Sequence, residues 1–199
     1  MPSQPDFDLE AAEIITAAVE ILSESGLDAV SMRNVSARLG VSPVPLYRRI
    51  GNKEALLDAV ADRLLADLAP PIGTGEPWTE YAMRWALVLR ARLRGTRDGR
   101  FILWPGRDAY VEASRPLVAS MRGGGFSADA AVQACRLLTW ATVGFAAVES
   151  GVPLRGAQRT RSRPGSDPRG VTEGESDALF DLHIRYLIEG IADDMESQG

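Results

Sequence analysis

The sequence predicts an all-α protein: an N-terminal three-helix domain built on a helix-turn-helix, followed by a larger helical domain. Three observations carry this. Apolar residues recur at helical spacing through most of the 199 residues. No segment of useful length alternates with the period of a strand. The stretch Pro70 to Pro77, with Gly73 and Gly75, breaks the helical pattern and reads as a seam between residues 1–68 and 76–199.

Each element has its own signal. Ile14, Ala18, Ile21 and Leu22 form one face of a helix over about residues 8–25, which Gly26 stops. Ser31 caps a second helix whose inward residues are Met32, Val35 and Leu39. Gly40 permits a tight turn, Ser42 is an N-cap, and Pro43 suits the first position of a third helix with Leu46 and Ile50 on its buried edge. Asn52 caps a fourth helix with an apolar stripe from Leu56 through Leu57, Val60 and Leu64 to Leu68, stopped by Pro70 and Pro71.

Beyond the seam, helical patterns run from Trp78 to Leu93, briefly around Arg100 to Trp104, and from Ser114 to Arg122, where three glycines end the pattern. Ser127 starts a helix to about Ser150 that is apolar nearly all round, so more than one side of it must be covered. Residues 151–175, rich in Gly, Pro, Ser and Arg, read as a mobile loop. A last helix, capped by Ser176, carries Phe180, Ile184, Leu187, Ile188, Ile191 and Met195 on one stripe. These two long helices predict a two-fold dimer with a four-helix interface.

Charge narrows the function. The net charge of −5 opposes nucleic-acid binding by the chain as a whole. Residues 1–30 hold seven acids and no base, but residues 31–53 hold Arg33, Arg38, Arg48, Arg49 and Lys53 and no acid. A basic footprint on an acidic body suits a site that meets phosphates. The longest nearly uncharged apolar run, Leu137 to Val148, is shorter than the ~18 residues of a membrane span. The acidic N-terminus lacks the marks of a secretory signal, and one cysteine, Cys135, fits a reducing compartment, so a cytoplasmic location is expected. Cys135 reads as a small core residue. His183, the sole histidine, reads as a helix-surface or interface residue, with no partners at catalytic or metal-ligand spacing. No enzyme activity, cofactor or metal is expected.

The string Gly40-Val41-Ser42, Leu46-Tyr47, Asn52-Lys53-Glu54-Ala55-Leu56-Leu57-Asp58, preceded by Ser31-Met32-Arg33, resembles the tetracycline-repressor (TetR) family of bacterial regulators, closely so over residues 10–65. The resemblance implies a dimer that grips double-stranded operator DNA as a repressor and is released when a small apolar or aromatic effector binds. It implies that Pro43, Val44, Pro45, Arg48 and Arg49 face base edges, while Ser31, Arg33, Tyr47 and Lys53 hold phosphates; Ser42 belongs to the same set. Bidentate arginine suits guanine, and cations, a phenol and a helix N-terminus suit phosphate oxygens. Lys53 is the only lysine among 22 basic residues and falls on the family's phosphate-binding position.

The second domain is expected to hold the effector among Trp85, Leu89, Phe101, Trp104, Tyr110, Thr139, Trp140 and Phe145, aromatic bulk with a few polar groups. Arg90, Arg92, Arg94, Arg97 and Arg100 read as solvated cations at a helix C-terminus, the alternative being a mount for an acidic ligand group. The competing function is an all-α small-molecule carrier or enzyme with a vestigial helix-turn-helix.

Overall fold

The structure, a computed structural model, describes residues 9–96, 108–149 and 172–197. Among the described residues there are eight α-helices and no strand, the all-α class expected. They group into two compact units: one holds the residues up to Ala66 together with Thr96, and the other holds the rest from Asp67 onward.

The first unit contains α1 (Ala11–Ser25), a 3-10 turn (Leu27–Ala29), α2 (Met32–Leu39), α3 (Pro43–Ile50) and α4 (Lys53–Leu65). Ile14, Ala18, Ile21 and Leu22 of α1 are all buried, and α2, α3 and α4 each pack on this face. They contribute Met32 and Val35, Leu46, and Leu56 and Val60 respectively. The apolar stripe read through Leu68 is not one helix. α4 ends at Leu65, with Ala66 N–H bonded to the Asp62 carbonyl, because Asp67 adopts φ 55° and turns the chain. Asp is one of the few residues with a side chain that tolerate this region. Leu68 is still buried, but from the turn.

The second unit contains α5 (Trp78–Gly95), α6 (Asp108–Gly123), α7 (Ala128–Glu149) and α8 (Glu173–Ser197). The proline-rich stretch before α5 is tied to it: Tyr81 Oη–H donates to the Pro70 carbonyl at 2.9 Å, and Arg84 pairs with Glu76 at 2.7 Å. α6 starts six residues before the expected Ser114 and carries Pro116 in its interior, where the missing N–H gives up one intrahelical bond. It ends at the three glycines. A Cβ on Gly124 would stand 2.5 Å from Trp78 Cδ1, so only glycine lets the chain pass the indole. α7 packs against α5, α6 and α8, which covers part of its apolar circumference and leaves Leu137, Trp140 and Val148 exposed. By length and composition it could cross a membrane, but it packs along one side against the helices of its own unit.

α8 starts before the expected cap. Thr172 Oγ1 accepts from Glu175 N–H at 3.3 Å, and the Glu175 carboxylate accepts from Thr172 N–H at 2.7 Å, a reciprocal capping box. Residues 172–175 are thus not loop, and the rest of the loop expected over 151–175 lies outside the described residues, as does the piece expected at Arg100 to Trp104. Ser176 has another partner. Its hydroxyl donates to Glu149 at 2.5 Å in a buried ionic cluster.

Arg90 is the centre of that cluster and corrects the reading of a solvated cation at that position, while Arg97 and Arg100 lie outside the described residues. Its side chain is 5% exposed, bonded through Nε at 2.9 Å and Nη2 at 2.5 Å to Glu149, which is 9% exposed. The guanidinium lies 4.4 Å from the Phe180 ring centroid and 5.4 Å from that of Phe145, and Asp177 adds a bond at 2.9 Å. Burial pushes the Glu149 carboxyl up, but the hydrogen bonds from Arg90 and Ser176 outweigh it and hold the group below its ordinary value of 4.5. A carboxyl held down in this way contributes stability above its unfolded pKa and loses that contribution as pH falls through the folded one. Arg90→Met should therefore destabilise the protein by on the order of 3 kcal/mol at pH 7, leaving Glu149 buried and unpaired. The deficit should shrink at acid pH, as the unpaired Glu149 takes a proton. Urea unfolding at both pH values checks this, and an equal deficit at both would contradict it.

Candidate nucleic-acid interface

The α2–turn–α3 segment is held by side chains at its corners. Ser31 Oγ accepts from Asn34 N–H at 3.2 Å, capping α2, and Asn34 Nδ2 donates back to the Ala29 carbonyl at 2.8 Å. Ser36 is buried and its hydroxyl donates to the Arg33 carbonyl. Gly40 ends α2 at φ 68°, ψ 25°, in the left-handed region, and Val41 N–H reaches back to the Ser36 carbonyl at 3.0 Å. Asn52 Oδ1 caps α4 by accepting from Ala55 N–H at 2.9 Å.

Ser42 occupies the N-cap of α3, as expected, but makes no capping bond. A cap accepts from the second or third helical N–H. Here the third residue is Pro45, which has none, and the first is Pro43. The Ser42 hydroxyl stays on an exposed corner next to Val44 N–H, the only donor among the first three helical residues.

α3 buries Leu46 on α1 and shows its other side to solvent. Val44 is 63% and Tyr47 52% exposed, and Pro43, Arg48 and Arg49 are exposed too. Ser31 and Pro45 are half-buried, and Arg33 and Lys53 are exposed. All ten residues of the expected set lie on α2, α3, their N-caps or the first residue of α4, in one unit.

The basic footprint is less free than the sequence suggested. Arg38 bonds to Glu20 at 3.3 Å and to both carboxylate oxygens of Glu24, and Arg49 Nη2 lies 3.1 Å from Glu10. The hydrogen bond to Arg38 holds the Glu24 carboxyl below its ordinary pKa. Two of the five cations are thus paired with acids of α1 and its N-cap, which reading residues 31–53 by themselves could not show. Among the described residues, no acid lies within ion-pair distance of Arg33, Arg48 or Lys53.

Of the residues expected around an effector, the described ones fall in two places. Trp85 and Leu89 are fully buried, Trp85 Nε1–H donating to the Ala113 carbonyl at 2.9 Å, and Tyr110 and Thr139 are buried as well. Thr139 Oγ1–H is spent on the Cys135 carbonyl one turn back, and Cys135 is a buried core residue as expected. Trp140 is 56% exposed on the other side of α7. With Phe145, Leu179 and His183 it lines a groove of about 500 Å³ between α7 and α8, where His183 lies against the Phe145 ring. Phe101 and Trp104 lie outside the described residues.

Residues 14–60 match the family model "Bacterial regulatory proteins, tetR family". The class A tetracycline repressor protein from transposon 1721 of Escherichia coli is 28% identical over 197 residues, covering 92% of this chain and 91% of the relative. The class D tetracycline repressor protein of the same organism is 37% identical over 94 residues, 46% of this chain and 43% of the relative. Among solved structures, ActR of Streptomyces coelicolor in complex with actinorhodin superposes with a TM-score of 0.73 at 25% identity, covering 94% of this chain and 98% of that one.

The geometry of the turn gives a test that involves no ligand. Nothing lies within 4 Å of a Cβ built on Gly40, so Gly40→Ala should act through backbone strain alone and cost about 1–2 kcal/mol. Gly40→Asn should cost less, since Asn visits the left-handed region more readily. Circular-dichroism melting of the two variants checks the order; equal melting temperatures would contradict it.

Proposed function

As a member of the tetR family of bacterial regulatory proteins, this chain, we propose, is a DNA-binding repressor that a small ligand releases from its operator. The observation that carries the reading is the Gly40-turned α2–α3 pair with Arg33, Arg48 and Lys53 exposed and unpaired among the described residues around an exposed Val44 and Tyr47. The first unit, within residues 1–68, is the DNA-binding head, and residues 76–199 are the effector-binding and dimerisation body. The protein acts in the cytoplasm as a regulator, not as an enzyme.

In the head, α3 enters the major groove. Pro43, Val44 and Pro45 lie against thymine methyls, and Arg48 reads guanine. Ser31, Arg33, Ser42, Tyr47 and Lys53 hold phosphates and fix the register. Arg48 is favoured over Arg49 as the reader because Arg49 already has a carboxylate partner.

In the body, the α7–α8 face carries Leu137, Trp140, Val148, Leu179 and Tyr186 exposed. A second copy covers this face and completes a four-helix interface. Trp140 and Phe145 then belong to the pairing face, and the effector, a small apolar or aromatic compound, is better placed on the side of α7 that faces Trp85, Leu89 and Tyr110. By linkage, it weakens operator binding to the extent that it prefers the conformation unable to bind DNA.

Lys53→Ala should weaken binding to all sequences alike and flatten the plot of log affinity against log salt by about one per half-site. Arg48→Ala should cost on the order of 1–3 kcal/mol on operator DNA and relax selectivity at one symmetric guanine position. Sequencing of DNA selected by each variant checks both; an Arg48→Ala variant with unchanged selectivity would refute the assignment. Light scattering at micromolar concentration should give a dimer for the natural chain and a monomer for Trp140→Glu, with operator affinity lost in the monomer. A natural chain that is monomeric and still binds operator DNA would refute the pairing face.

A further inference from the structure

The sequence in front of α1 is acidic, and Glu10, its last residue before the helix, touches the DNA-reading helix. We propose that Glu10 sets the protein's affinity for DNA by holding Arg49 in an internal ion pair and keeping it from phosphate. The proposal rests on the reading of the head as a DNA-binding surface.

Both partners stand on fixed backbone. The N–H of Glu10 donates to the Glu13 carboxylate at 3.0 Å, and its carbonyl accepts from Glu13 N–H at 3.1 Å, which anchors it as the N-cap of α1. Arg49 is in the last turn of α3, which Gly51 N–H closes on the Tyr47 carbonyl at 3.0 Å. The guanidinium and carboxylate meet at 3.1 Å without either helix moving. Arg48, about 100° further round the same helix, meets no acid among the described residues.

The pair is a restraint and not a lock. Its side chains are 46% and 61% exposed, so the pair is solvated, weak and screened by salt. A phosphate can displace Glu10, but must first part the two charges and then leave the carboxylate beside the DNA backbone. A neutral pair also releases no counterion on binding, so in the natural protein Arg49 adds little to the salt dependence. Because Arg49 carries its charge to any sequence, the restraint acts on non-specific and operator DNA together. Arg38, doubly held by Glu20 and Glu24, shows the same helix neutralising a second cation.

The test is a double-mutant cycle on the full-length protein, with fluorescent random-sequence duplex DNA as probe across a salt series. Glu10→Gln should raise affinity about threefold or more and steepen the log–log salt slope by about one per half-site. Glu13→Gln removes the same charge three residues on without touching Arg49, and Gln keeps the cap; its slope should match that of the natural protein. In an Arg49→Ala background, Glu10→Gln should no longer change the slope. The proposal is overturned if Glu13→Gln equals Glu10→Gln, if the Glu10→Gln effect survives in the Arg49→Ala background, or if the natural protein and Glu10→Gln bind alike. A natural protein that binds no DNA at all overturns the regulator reading as well, which separates the two failures.

Discussion

An eight-residue helix cannot hold its shape in water, because nucleation fixes several residues before hydrogen bonding compensates. α2 and α3 are both eight residues long. Everything the first unit does therefore depends on the buried face of α1, where Ile14, Ala18, Ile21 and Leu22 receive one or two apolar residues from each short helix. The corners add what burial cannot: Ser31 and Asn52 satisfy helix N-termini, and Gly40 sets the angle at which α3 leaves α2. The exposed side of α3 is free to carry function because its stability comes from elsewhere.

The second unit solves a different problem. Its helices are long enough to be stable by packing, and α7 must find apolar cover on most of its circumference. At the end of α7, Glu149 is buried with Arg90 of α5 and Ser176 at the start of α8, and Phe145 and Phe180 lie against the guanidinium. Such a cluster contributes little net stability compared with apolar packing, but its bonds tie the start of α8 to α5 and α7. It fixes where α8 begins relative to α5 and α7, and with it the face that carries Trp140, Leu179 and Tyr186.

Local signals in the sequence were legible, and long-range ones were not. Ser31, Gly40 and Asn52 were identified from residue type and spacing, and the structure gives each the predicted hydrogen bond or dihedral angle. Ser42 was recognised by position, but its bond was not anticipated to fail; Pro45 three residues on was the visible reason. The Thr172–Glu175 capping box was in plain view and lost to Ser176, whose polar side chain looks like a cap until a carboxylate 27 residues away claims it. Arg90 and Glu149 are 59 residues apart, and nothing in either neighbourhood marks them as buried. Thr139 and Trp140 read as the polar and aromatic parts of one pocket, although adjacent helical residues point about 100° apart. The pairing of Arg38 and Arg49 with α1 needed the fold.

Pro43 and Pro45 bear on more than the missing cap. A proline at a position whose backbone it already suits restricts the unfolded chain more than the folded one, by about 0.4–1 kcal/mol each. α3, with one fully buried residue, is the least packed helix of the first unit. Two rings within its first three residues thus replace contact with covalent stiffness. Chain entropy of that kind depends on neither ionic strength nor protonation, so the start of α3 keeps its order under conditions that dissolve the ion pairs around it.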